Sequence, residues 1–139
     1  MSSNNTHPFH QLSELIEEYS SNKNSMTVEE LQDLRENISL NLFYISSDAA
    51  QAIANYDSKD YKRKRLQAER ENYYRNDTDV KTGKIHTVAD SERLARLDLK
   101  EVEEEVVEAL RQKERVRIII TAVQQILNAL SSRISQLNK

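Results

Sequence analysis

The sequence predicts an all-α protein: a long antiparallel helical hairpin with a coiled-coil-type C-terminal helix and a short N-terminal helix, assembled as an oligomer. Three observations predict it. The 139 residues include one Gly (Gly83) and one Pro (Pro8), so nothing strong interrupts a helix between Phe9 and Thr82 or after Lys84. The composition, 37% hydrophobic and 31% charged, is that of long helices and coiled coils rather than of a large single core. From Leu99 onward apolar residues recur with a 3.5-residue period, the condition for left-handed supercoiling of helices.

Residues 1–25 are expected to form a short helix and a flexible linker. Residues 1–6 are polar; Thr6 and Pro8 then mark the N-cap and first turn, and Phe9, Leu12, Leu15, Ile16 and Tyr19 form the apolar face. The polar run Ser20–Ser25 ends it. Residues 26–139 are expected to form the hairpin. Thr27 and Glu30 make a capping box, in which hydroxyl and carboxylate each satisfy one free amide of a helix expected over about 27–76. Leu31, Leu34, Ile38, Leu42, Ile45, Ala49, Ala52 and Tyr56 share one face at spacings of three and four. Beyond Tyr56 the apolar period weakens. No breaker occurs before Asn76-Asp77, however, so the helix is expected to continue through the charged stretch Lys59–Arg75, reaching about 70 Å at ~1.5 Å per residue.

The turn, about 77–86, contains Gly83, and Thr87 with Asp90 opens a third helix expected over about 87–137. Val102, Ala109, Val116, Val123, Leu130 and Leu137 fall every seventh residue; Leu99, Val106, Lys113, Ile120, Leu127 and Ile134 fill the complementary position. Val107, Leu110, Ile118, Ile119 and Ile126 add a second apolar flank, so this helix calls for two neighbours. The hairpin supplies one and self-association the other. Val102, Val106, Ala109, Lys113, Val116, Ile120, Val123, Leu127, Leu130 and Ile134 are therefore the expected oligomerisation residues, with Lys113 a register device in the seam. A turn centred near residue 81 sets Leu31–Tyr56 opposite roughly 107–132 and basic 59–75 opposite acidic 88–104.

Several function classes are disfavoured. With no cysteine there is no disulfide framework or thiolate zinc site, which fits a reducing compartment. No basic-plus-apolar leader pattern opens the chain, and apolar runs such as Ile118–Ile120 are far too short to span a bilayer. The expectation is a cytoplasmic protein, in the host cytoplasm if viral, without a membrane partner. Two Phe and no Trp leave few pocket-lining aromatics. Neither a Ser/His/Asp set nor a P-loop or dinucleotide fingerprint occurs, so no catalytic residue, cofactor or metal is expected. His7 and His10 lie one turn apart but lack a third ligand, and Asp77-x-Asp79 fits no calcium spacing.

The net charge of −3 conceals segregation. Residues 1–58 carry two basic and nine acidic residues (−7), 59–75 seven and three (+4), 76–89 balance, 90–108 three and eight (−5), and 109–139 six and one (+5). Lys59, Lys62, Arg63, Lys64, Arg65, Arg70 and Arg75, interleaved with Tyr61, Tyr73 and Tyr74, have the chemistry a single-stranded nucleic acid needs. Cations neutralise phosphates and release counterions, and tyrosine rings stack on unpaired bases. A second reading stands beside it: Asp98, Glu101 and Glu103–Glu105 neutralise those cations within the hairpin. Arg111, Lys113, Arg115, Arg117 and Arg133 form a further basic set.

The order of these features resembles the UvsY family of T-even phage recombination mediators. The matching pieces lie within residues 56–133: a Lys/Arg-rich helix ending in Glu71-Asn72-Tyr73-Tyr74, a polar Gly-containing turn, and His86-Thr87-Val88-Ala89-Asp90 opening a long helix that ends near Ala129-Leu130-Ser131-Ser132-Arg133. The resemblance implies a ring-forming phage accessory factor, without catalysis. Such a factor binds single-stranded DNA and helps a recombinase displace a single-strand-binding protein. It places Lys62, Arg63, Lys64, Arg65 and Arg70 on phosphate and Tyr73 and Tyr74 beside them. An alternative of another class is a coiled-coil scaffold or an inhibitor of a host enzyme, acting through the acidic helical surface of 1–58 and 90–108.

Overall fold

A computed structural model describes residues 7–78 and 81–139. The expectations for Thr6 and residues 1–5, and for Asp79, lie outside the described residues. The fold is all-helical: α1 (Pro8–Asn22), α2 (Val28–Arg75), α3 (Val88–Asp98) and α4 (Lys100–Leu137). Among the described residues no strand occurs beyond an isolated bridge, Thr78 to Ile85, across the turn.

Local chemistry accounts for where the helices begin. His7 caps α1, its Nδ1 accepting from Phe9 N at 3.2 Å, and Pro8 follows in the first turn, where its missing N–H costs nothing. Thr27 Oγ1 accepts from Glu30 N at 3.2 Å and Thr87 Oγ1 from Asp90 N at 3.1 Å, so both predicted hydroxyl caps are made. In the turn, Gly83 takes φ 69°, a left-handed conformation that residues with side chains rarely adopt.

The predicted third helix is interrupted once, at Leu99, whose φ of −101° and ψ of 12° divide α3 from α4. Ser91, Ala95 and Leu99 are all buried at four-residue spacing, an advance of about 400° per step on a helix of ~3.6 residues per turn. The break coincides with the handover from that drifting run to the heptad pattern that follows.

The chain forms two compact units, one comprising α1, α2 as far as Gln51 and α4 from Arg115, the other residues 52–114. In the first, Leu12, Leu31, Leu34, Ile38 and Ile45 are buried together with Val116, Val123, Leu130 and Ile134. Each such side chain contributes about 1.5–3 kcal/mol relative to exposure. Asn41 is buried among them, a position not anticipated, and its Nδ2 donates to Asn37 O at 2.9 Å. Leu42 is only half-buried beside it. Arg133 Nε donates to Lys23 O at 2.9 Å, joining α4 to the end of α1.

The second unit has a thinner core. Ser91, Ala95, Leu99, Val106 and Ala109 are buried on α3 and α4, yet α2 contributes no fully buried residue here. Instead Tyr56, Lys59, Asp60, Arg63, Leu66, Gln67, Arg70, Glu71 and Tyr74 are half-buried at helical spacing. The stripe that loses its apolar character after Tyr56 thus persists in polar residues. Lys113 Nζ lies 4.6 Å from the Tyr56 ring centroid, Lys59 Nζ 3.9 Å from Glu105 Oε2, and Arg70 meets Asp98, so the helices run antiparallel within this unit. Basic 59–75 does face acidic residues. Tyr56 meets residue 113, however, further along than the 107 that a turn centred at 81 sets.

Candidate nucleic-acid interface

The helix that carries the basic tract decides which of its cations are available. Positions 59, 63, 70 and 74 continue the half-buried stripe, whereas 61, 62, 64, 65, 73 and 75 are exposed around the rest of α2. The ten residues proposed from sequence therefore separate into an inward set, Lys59, Arg63, Arg70 and Tyr74, and an outward set, Tyr61, Lys62, Lys64, Arg65, Tyr73 and Arg75.

The inward set is engaged in polar contacts. Arg63 donates to Asp60 Oδ1 from Nη2 at 2.9 Å and to Gln67 Oε1 from Nη1 at 3.2 Å, and Gln67 Nε2 passes the chain on to Glu71 at 3.0 Å. Arg63 and Lys64 together hold the Asp60 carboxyl below its usual range. At the end of α2 three donors converge on Asp98 Oδ2: Tyr74 Oη at 2.6 Å and Arg70 through Nε at 2.8 Å and Nη2. The Tyr74 hydrogen bond first, and the Arg70 guanidinium second, lower the Asp98 pKa. Two of the expected neutralising contacts, Lys59 with Glu105 and Arg70 with Asp98, thus exist; the other cations pair within α2 or not across the helices.

The outward set is looser. Lys64 shares Asp60 at 3.1 Å, and Arg65 stands 3.9 Å from Glu69. Lys62 and Arg75 make no ion pair among the described residues. Tyr61 is 69% exposed and Tyr73 54%, the latter with the Arg70 guanidinium carbon 4.7 Å from its ring centroid. Sequence reasoning missed Asp60, Leu66 and Gln67 as interface residues of α2. The signal was present, since 56, 59/60, 63, 66/67, 70 and 74 keep the spacing of a buried face although their side chains are polar.

Of the oligomerisation residues, Val106, Ala109, Val116, Val123, Leu130 and Ile134 are buried by the chain's own helices, and Val102, Lys113, Ile120 and Leu127 are half-buried. That seam therefore builds the intramolecular core. What α4 leaves exposed is part of the flank, Val107, Leu110 and Ile118, and the last seam residue, Leu137, while Ile119 and Ile126 of the flank are half-buried.

In the second basic set, Arg111 pairs with Glu108 at 3.6 Å, Lys113 covers Tyr56 and Arg133 caps the Lys23 carbonyl. His7 lies 3.6 Å from Asp48 and His10 3.0 Å from Glu14, and among the described residues no three such ligands converge as a metal site would require. No helix of the described residues is long and apolar enough to cross a membrane.

Fold and site together define an all-helical chain in which a polar-stapled helix pair presents a basic, tyrosine-bearing outer face. No protein-family model matches the chain, and none of the curated proteins or solved structures compared with it matches.

Proposed function

We propose that this chain is a non-enzymatic, homo-oligomeric accessory protein that binds single-stranded DNA through the outward face of α2 between Tyr61 and Arg75. The resemblance to the UvsY family extends the reading to a phage recombination mediator with coiled-coil-type helix packing, a recombinase and a single-strand-binding protein as partners, and the cytoplasm as its location. One observation carries it. Lys62, Lys64, Arg65 and Arg75 are exposed on α2, as are Tyr61 and Tyr73, spread over the half of the helix circumference that the inward stripe leaves free. Cations there can neutralise successive phosphates, while a base stacked on tyrosine gains about 1–3 kcal/mol irrespective of sequence. Stacking on a helix face needs bases free of a complementary strand, which favours single strands over duplex.

The test is fluorescence anisotropy of labelled oligo-dT at two salt concentrations. Replacing Lys62, Lys64, Arg65 and Arg75 by Ala is expected to weaken binding and to reduce the salt slope by about 0.7 for each phosphate that is no longer neutralised. Helicity should stay unchanged, because these side chains leave the inward stripe intact. Undiminished affinity of the quadruple variant at low salt defeats the assignment.

A further inference from the structure

We infer that two exposed stripes of opposite charge, one in each unit, are the two halves of a contact between copies of this chain. The inference deepens the oligomeric part of the proposed function and is independent of DNA binding.

The first stripe runs along α2 on the side away from its buried residues. Asp33, Glu36, Leu40, Phe43 and Tyr44 recur there at spacings of three and four, so their side chains share one face. Phe43 is 72% exposed and meets Tyr44 edge to face, with ring centroids 5.8 Å apart. Glu36, Leu40 and Phe43 line a shallow concavity of 470 Å³. Neither Asp33 nor Glu36 has an ion-pair partner among the described residues.

The second stripe crosses the break at Leu99. Arg93, Arg96 and Lys100 surround Leu97, which is 62% exposed, in a concavity of 400 Å³ that Glu92 and Glu103 also line. The three cations make no ion pair among the described residues, and they are the only basic residues between 90 and 108. The otherwise acidic segment thus gathers all its positive charge into one face.

The acidic stripe covers about three turns of helix and the basic one about two; the first sets Leu40, Phe43 and Tyr44, the second Leu97, beside unpaired charge of one predominant sign. Clustered exposed apolar surface of this kind marks a protein contact rather than a solvated face. The acidic stripe repels a phosphate backbone, and its complement in both charge and apolar character is present on every copy of the same chain at equal concentration. Because the stripes differ, each contact pairs unlike surfaces: two copies that engage both stripes reciprocally close as a dimer, and copies that engage one stripe each continue until a ring closes or a filament grows.

The experiment is native mass spectrometry and light scattering of the full chain without DNA, over a range of concentrations. Wild type should form oligomers. Asp33→Lys with Glu36→Lys, or Arg93→Glu with Arg96→Glu, should each raise the concentration for half-assembly at least about tenfold, since like charges then face each other. Mixing the two reversed proteins should restore assembly, because each reversed stripe then meets an opposite one. Phe43→Ser should weaken assembly without charge change. Circular dichroism confirms helicity in every case, and oligo-dT binding measured in parallel reads the DNA proposal separately. A single-chain mass at every concentration overturns the inference, as do oligomers that neither reversal disturbs.

Discussion

Tyr74 Oη donates a 2.6 Å hydrogen bond to the same Asp98 oxygen that receives Arg70 Nε at 2.8 Å, so one carboxylate of α3 secures the last turns of α2. Around it the aromatic contacts continue, with Tyr73 and Tyr74 edge to face at 5.2 Å and Tyr74 against His86 at 6.1 Å. This cluster closes the turn end of the second unit, where the apolar core is thinnest.

A two-sided pH dependence follows from it. The hydrogen bonds from Tyr74 and from Arg70 lower the Asp98 pKa in the folded chain. The associated stabilisation is present above the ordinary carboxylate value and is lost as pH falls through the depressed one. Tyr74 is raised by its bond to Asp98, so its share is present below the ordinary phenol value of 10.0 and is lost as pH rises through the raised one. Melting temperature against pH should decline at both extremes. Asp98→Asn should flatten both limbs, and Tyr74→Phe should remove its alkaline contribution and flatten the acid limb in part, Arg70 still holding Asp98 low; limbs of unchanged slope would count against the cluster. Asp60, also held below its usual range, leaves part of the acid limb in place.

Lys113 occupies a heptad core position but lies with its ammonium 4.6 Å from the Tyr56 ring centroid. A cation over an aromatic face contributes about 0.5–2 kcal/mol depending on desolvation. A double-mutant cycle with Lys113→Met and Tyr56→Leu should give a coupling of about 0.5–1 kcal/mol in urea unfolding. Additive effects would show that the two side chains are neighbours without an energetic link.

Ser91 is fully buried, and its hydroxyl has no hydrogen-bond partner among the described residues. An unsatisfied buried hydroxyl costs about 1–3 kcal/mol. Ser91→Ala should therefore raise stability by about 1 kcal/mol, since the smaller side chain loses one polar atom and little volume. A measured loss of stability would mean that the hydroxyl is satisfied in solution.

The seam and the flank of α4 should respond differently to truncation. Leu130→Ala, and likewise Leu31→Ala on α2, empties a fully buried site and should cost about 2–5 kcal/mol. Ile118→Ala, on the exposed flank, should stay within about 0.5 kcal/mol. Equal costs would place both faces in one buried environment, contrary to this assignment.

Much of the helical architecture was legible from residues because its causes are local. Thr27 and Thr87 cap with their own hydroxyls and Gly83 takes the left-handed turn position. Apolar periodicity located Leu31, Leu34, Ile38 and Ile45 and most of the α4 seam in the core. These outcomes depend on neighbours within a few residues along the chain, which a sequence displays directly.

Other features depended on what a helix meets across space. Asn41 completes the three-four spacing of Leu31, Leu34, Ile38 and Ile45, a signal that its polar side chain obscured, whereas nothing in the order of residues interrupted the third helix at Leu99. The basic tract announced its charge but not its division, because Lys59 and Arg70 face inward where Glu105 and Asp98 of the other helices lie within reach, whereas Lys62 and Arg75 have no ion-pair partner among the described residues. Composition and periodicity, read along the chain, determined the helices and their polarity. Tertiary contact decided which charges join one helix to another and which remain exposed, since pairing between helices depends on distances that only the packed helices establish.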